Sequence, residues 1–82
     1  MAEYSTLYEG KNITVYHIDA YRLNGEEDFI ALGGEDIIFG EGISIIEWAE
    51  RITPSLPGSA IWVDISIEGP EERSFTIHRG SL

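Results

Sequence analysis

Asp19 and Glu47 each close a strongly apolar run, ITVYHI before the first and ISII before the second. In open sheets with parallel strands, ligands collect beyond the carboxyl ends of the strands. A carboxylate there is well placed to hold Mg²⁺ directly or through water. The structural alternative is plain: many strands end in Asp or Glu because the chain is leaving the core. Neighbouring residues add chemistry. His17 shares a strand face with Asp19, because side chains alternate along a strand. Two ligands without a third make a poor zinc site, so His17 is expected to be a satisfied, buried histidine. Arg22 is expected to pair with a carboxylate of the acidic segment that follows it, a surface contact of little energetic weight. Trp48 on its own reads as a large hydrophobe capping the sheet. Glu50 is expected on the solvated side of a turn. A two-carboxylate hydrolase built on Glu47 and Glu50 lacks support, since no pocket-forming sequence accompanies the pair. His78 has no motif around it.

The elements that would position these residues are legible in outline. Residues 3–8 and 12–20 read as two strands joined by a turn at Glu9-Gly10-Lys11. The second begins apolar on both faces and is expected to be an inner strand. Asn24 with Glu27 three residues later marks a helix start, and Gly33 a stop, predicting a helix over 25–32. A shorter segment over 35–39 is closed by Gly40 and Gly42. The unbroken apolar run at 43–46 reads as a strand covered on both faces, ending where Glu47 meets water. Residues 48–52 suit a helical turn, ended by Pro54 and Pro57. A closing hairpin sets Ile61, Val63, Ile65 and Ile67 in alternation with polar residues, with Phe75 and Ile77 returning on the inner face. The expected fold is therefore α/β: a β-rich sheet of about five strands with one main helix and a short helical segment.

Composition bounds the reading. The 82 residues, 43% of them apolar, suit a single domain over 1–82, with a core near the lower size limit for independent folding. The absence of cysteine excludes disulfides and thiolate metal sites. No basic-then-apolar leader and no apolar run of membrane-spanning length occur, so a cytoplasmic protein without membrane contact is expected. Fifteen acidic residues against five scattered basic ones give a net charge of -10. A duplex-binding protein needs a clustered basic face, so no direct nucleic-acid partner is expected.

Taken together, the motifs carry a family resemblance. An apolar strand ending in an acid is the form of a Walker B element. His17-Ile18-Asp19-Ala20-Tyr21-Arg22-Leu23, then Leu32-Gly33, then Ile46-Glu47-Trp48-Ala49-Glu50-Arg51, then Leu56-Pro57, preceded by Tyr8-Glu9-Gly10, follow in order along the whole chain. This series resembles the C-terminal half of the TsaE (YjeE) family, P-loop ATPases of tRNA threonylcarbamoyladenosine synthesis. Ile18 stands where the family usually has Phe, and Ala49 where it usually has Pro. The resemblance implies a P-loop NTPase-like remnant, with Mg²⁺ and ATP as the full-length family's cofactors. It implies Asp19 on the Mg²⁺ and attacking-water side, Glu47 as the Walker B-like carboxylate, and both as Mg²⁺ ligands. Trp48, Tyr21 and Arg22 would face the nucleotide or a partner, and TsaB- and TsaD-like proteins are the implied partners.

The same frame exposes a gap. A phosphate-cradling G-x-x-x-x-G-K-[ST] loop is missing from the sequence: the single lysine, Lys11, is followed by Asn12. The chain is expected to be a truncated member that binds neither ATP nor Mg²⁺ and is inactive alone. The alternative is a non-enzymatic interaction module that keeps the family's partner-facing surface. The ISII strand is expected to be left with an unpaired edge, through which the chain forms homo-oligomers.

Overall fold

The computed structural model describes residues 1–80. Strand β1 (Ala2–Tyr8) turns tightly into β2 (Lys11–Asp19), with Tyr8 opposite Lys11. Only Glu9 and Gly10 lie in the turn, both at positive φ (50° and 78°). Two such residues match the right-handed twist of the flanking strands, which is why Lys11 starts β2 instead of belonging to the turn. The chain then leaves β2 through a 3₁₀ turn at Ala20–Arg22, runs through helices α1 (Glu26–Ala31) and α2 (Gly34–Ile38), and returns as β3 (Ile43–Glu47). β3 lies parallel to β2, in the order β1-β2-β3. Parallel neighbours need such a crossover because a tight turn cannot reverse the chain twice. β2 is the inner strand, as expected.

The helices differ from the sequence reading at their caps. Gly25, not Asn24, precedes the first turn of α1, at φ 88°, and no side chain caps it. Asn24 instead donates its backbone N–H to Asp28 Oδ2 at 2.9 Å, so Asp28 captures the preceding chain. Gly33, in the left-handed region at φ 84°, separates α1 from α2, where the sequence placed a stop. Beyond β3, 3₁₀ turns over Ala49–Ser55 extend past the expected helical turn and include Pro54. The hairpin β4 (Ile61–Ile67) and β5 (Arg73–Arg79) forms a second, two-stranded sheet. Among the described residues, five strands make a small α/β arrangement, divided between two sheets where one was expected.

The core is small: Ile18, Ala20, Phe29 and Ile52 are buried, with Leu23, Ile38, Ile46 and Leu56 packed around them. Ile18 and Ile46 are register partners on β2 and β3, so one face of the first sheet carries the helices. The other face is open. Ile43 and Ile45 are about half exposed, which corrects the expectation that β3 is covered on both faces. The closing hairpin is also turned over relative to the sequence reading. Trp62 is its buried residue, while Ile61, Val63, Ile65, Ile67, Phe75 and Ile77 are all exposed. Alternation fixes which residues share a face, but the neighbouring layer decides which face is buried.

Candidate functional site

Parallel pairing brings the two strand-ending carboxylates together. Asp19 and Glu47 are direct register partners at the carboxyl ends of β2 and β3, on strands about 4.8 Å apart. Because register partners point to the same side, both carboxylates leave the open face of the sheet, opposite the core formed by Ile18 and Ile46.

Each carboxylate has its own local restraint. Asp19 precedes the 3₁₀ turn in extended conformation, and its Oδ1 accepts the Tyr21 N–H at 3.1 Å. Its Oδ2 lies 3.8 Å from Arg22 Nε. Arg22 therefore pairs with Asp19, correcting the expectation of a partner in the acidic helix. The Arg22 side chain is otherwise exposed, so the pair contributes little to stability. Glu47 Oε1 accepts a hydrogen bond from His17 Nε2 at 2.5 Å. His17 is thus half-exposed and paired, not buried as expected. Its position follows from the same alternation: His17 sits two residues before Asp19 on β2, diagonal to Glu47 across the parallel ladder. The sequence showed that His17 and Asp19 share a face; only the strand register could show that Glu47 joins them.

Immediately after Glu47 the backbone bends sharply. Trp48 adopts the left-handed region (φ 58°, ψ 39°), which costs a residue with a Cβ about 1–2 kcal/mol. The bend lays its half-exposed indole against Tyr21, with ring centroids 5.1 Å apart and planes tilted by 51°. Arg51 covers the Tyr21 ring at 4.7 Å and donates from a guanidinium nitrogen to the Leu23 carbonyl at 3.4 Å. Arg51 was not singled out from the sequence, although its place in the IIEWAERI block was a usable signal. Glu50 is exposed in the turn, as expected, and stands outside the cluster. His78 lies in the other sheet, 3.3 Å from Asp64 and stacked on Trp62.

The chemistry open to this constellation is set by its donors. Among the described residues, no three His, Cys, Asp or Glu side chains converge on one point, so a protein-only transition-metal site is not built. Two adjacent carboxylates with an oxygen to spare on Glu47 suit a hard cation. Mg²⁺ characteristically takes one or two carboxylates from protein and the remaining oxygens from phosphate and water.

The family model for the Threonylcarbamoyl adenosine biosynthesis protein TsaE matches residues 1–75. This chain belongs to the TsaE family. It is 34% identical over 71 residues to the tRNA threonylcarbamoyladenosine biosynthesis protein TsaE of Treponema pallidum (strain Nichols), covering 87% of this chain and 52% of that protein. The protein of the same name from Bacillus subtilis (strain 168) is 32% identical over 69 residues, 84% of this chain and 42% of its own. That from Rickettsia bellii (strain RML369-C) is 35% identical over 66 residues, 80% of this chain and 45% of its own. The chain spans about half the length of these curated TsaE relatives. No solved structure matches it. The stretch matched to TsaE takes in β1 to β3, both carboxylates and the Trp48–Tyr21–Arg51 stack.

Proposed function

We propose that these residues supply the Mg²⁺-side carboxylates of TsaE-type ATP hydrolysis in tRNA threonylcarbamoyladenosine biosynthesis, with the phosphate-binding loop contributed from elsewhere. The observation that carries this reading is the register pairing of Asp19 with Glu47 at the carboxyl ends of two parallel strands. Bound there, Mg²⁺ would neutralise charge on a transferring phosphoryl group. The chain's own residues have definite parts in this reading. Glu47 and Asp19 hold the cation, and His17 fixes the Glu47 rotamer by occupying one oxygen. Asp19 is itself held by the Tyr21 N–H. Trp48 and Tyr21, braced by Arg51, form a wall at the end of the strands on the nucleotide or partner side. Arg22 offsets part of the acidic charge.

The protein acts in the cytoplasm through TsaB- and TsaD-like partners and does not grip tRNA itself, since its net charge is -10. Among the described residues no helix is long and apolar enough to cross a membrane. One observation favours a second reading, a non-enzymatic interaction module: the sequence has no G-x-x-x-x-G-K-[ST] motif to cradle phosphate.

Calorimetry of MgATP binding separates the two, run on this chain and on a version extended upstream to include a glycine-rich GKT or GKS loop. Micromolar binding and turnover by the extended form alone is the expected result. An extended form that binds nothing would overturn the ATPase reading.

A further inference from the structure

The sequence holds two side-chain amides, Asn12 and Asn24, and no glutamine. Their settings are opposite. Asn12 lies inside the β1–β2 ladder, opposite Leu7, and is followed by the β-branched Ile13. Asn24 is exposed in the irregular link between the 3₁₀ turn and α1, and is followed by Gly25. An Asn-Gly pair can react with itself. The backbone nitrogen of the glycine attacks the asparagine side-chain carbonyl, because no following side chain obstructs the five-membered ring that forms.

The fold leaves this route open at Asn24. Gly25 stands at φ 88°, and a Cβ built there would meet nothing within 4 Å, so the space beside it is unfilled. Among the described residues, neither the Gly25 N–H nor the Asn24 side-chain amide is engaged in a hydrogen bond. The tether from the Asn24 N–H to Asp28 Oδ2 holds the peptide before Asn24, not the one that must attack. At Asn12, by contrast, strand pairing fixes the backbone on both sides, and the stiff Ile13 side chain crowds the ring.

We propose that Asn24–Gly25 is a site of self-modification in the folded protein, where Asn24 deamidates through a cyclic imide to isoaspartate and aspartate. The Gly25 nitrogen gives its proton to solvent and bonds to Asn24 Cγ. The Cγ–NH₂ bond breaks, and ammonia leaves with a proton from water. Water then opens the imide: attack at the main-chain carbonyl carries the backbone through Cγ, giving isoaspartate, and attack at Cγ gives aspartate. Nothing is oxidised or reduced. Either product adds a carboxylate beside Glu26, Glu27 and Asp28 in the first turn of α1, on a chain of net charge -10. Isoaspartate also inserts a carbon into the main chain between Leu23, packed on the core, and buried Phe29. The entry to α1 therefore loosens as the protein ages. The inference rests on this local geometry and is independent of ATP hydrolysis.

The test incubates the purified chain at neutral and mildly alkaline pH, folded and in guanidinium chloride, and follows it by peptide mapping. Trypsin cleavage after Lys11, Arg22 and Arg51 puts the two asparagines in separate peptides. The peptide spanning residues 23–51 should gain the mass of an amide-to-acid change, faster at the higher pH, while that spanning 12–22 stays unchanged. Most of the product should resist Asp-N cleavage at residue 24, as isoaspartate does. The folded chain should react within a few-fold of the unfolded rate. Gly25→Ala should slow the reaction by an order of magnitude or more. Asn24→Gln, whose larger imide ring forms far more slowly, should abolish it and, aged beside the parent, should melt several degrees higher. A Gly25→Ala chain unfolded by strain at positive φ leaves Asn24→Gln to decide. A folded rate an order of magnitude below the unfolded one would overturn the proposal, since the fold would then protect the pair. So would aspartate without isoaspartate, or equal melting of the aged parent and the Asn24→Gln protein.

Discussion

At the residue scale, Asp19 and Glu47 occupy register positions on adjacent strands but are restrained differently, and mutation should separate them. Asp19 serves as a cap, and Asn keeps a side-chain oxygen that can accept the Tyr21 N–H. Asp19→Asn should therefore leave stability nearly unchanged, whereas Asp19→Ala should cost about 1 kcal/mol. In the extended, P-loop-bearing protein, Asp19→Asn and Glu47→Gln should each lower ATP turnover on the order of 100-fold, the scale set by losing one electrostatic contact to a developing charge. Melting curves beside turnover assays decide the matter. Stability and activity falling in step for Asp19→Asn would leave only a structural role. Trp48 offers a second contrast. Glycine relieves the left-handed strain but gives up the Tyr21 contact, worth about 0.5–1.5 kcal/mol, so Trp48→Gly should change stability by less than about 1 kcal/mol. Trp48→Val, a β-branched residue at positive φ, should destabilise by more than that in urea titrations.

At the element scale, tight packing falls on α1 and α2. Phe29 is fully buried, and a Cβ added at Gly34 would lie 2.3–2.5 Å from three atoms of its ring, well inside van der Waals contact. Gly34→Ala should cost about 1–3 kcal/mol by overpacking, and Phe29→Ala about 3–5 kcal/mol by leaving a cavity. For a domain of this size, whose whole stability is of order 5 kcal/mol, either change should appear in thermal scans as a large fall in melting temperature. The Phe29 variant should approach complete unfolding at ambient temperature. A Gly34→Ala protein as stable as the parent would mean that the ring has room to move. The elements show why the sequence was readable where it was. Strands, turn and helix segments follow from local chemistry: apolar alternation, Glu9-Gly10, Gly33 and the prolines. The division into two sheets, the exposed faces of Ile45 and Ile65, and the pairing of His17 with Glu47 depend on which layers meet. No local pattern encodes that. The two carboxylates are legible because each ends an apolar strand; the burial expected of His17 fails because an apolar neighbourhood alone does not say which layer covers it.

At the scale of the whole molecule, exposed apolar surface competes with net charge. Apart from Ile46 and Trp62, the apolar side chains on β3, β4 and β5 stand about half exposed or more, and the β3 edge carries no lysine, proline or bulge to block pairing with another chain. Opposing this, a charge of -10 makes each copy repel the next. The balance depends on screening, because the Debye length falls from about 10 Å at 0.1 M salt to about 3 Å at 1 M. The chain should therefore self-associate through strand pairing, and more strongly as salt rises. Association driven by ion pairs would respond in the opposite direction. MgATP should leave this equilibrium unmoved. The backbone cradle that supplies most of the affinity for phosphate is not encoded in these residues, and two carboxylates without it repel the nucleotide's own charge. Sedimentation over a range of concentrations, at low and high salt and with and without MgATP, measures all of this in one series. A strictly monomeric chain at high concentration in 1 M salt would refute the edge pairing, and a shift caused by micromolar MgATP would refute the need for a separate phosphate loop.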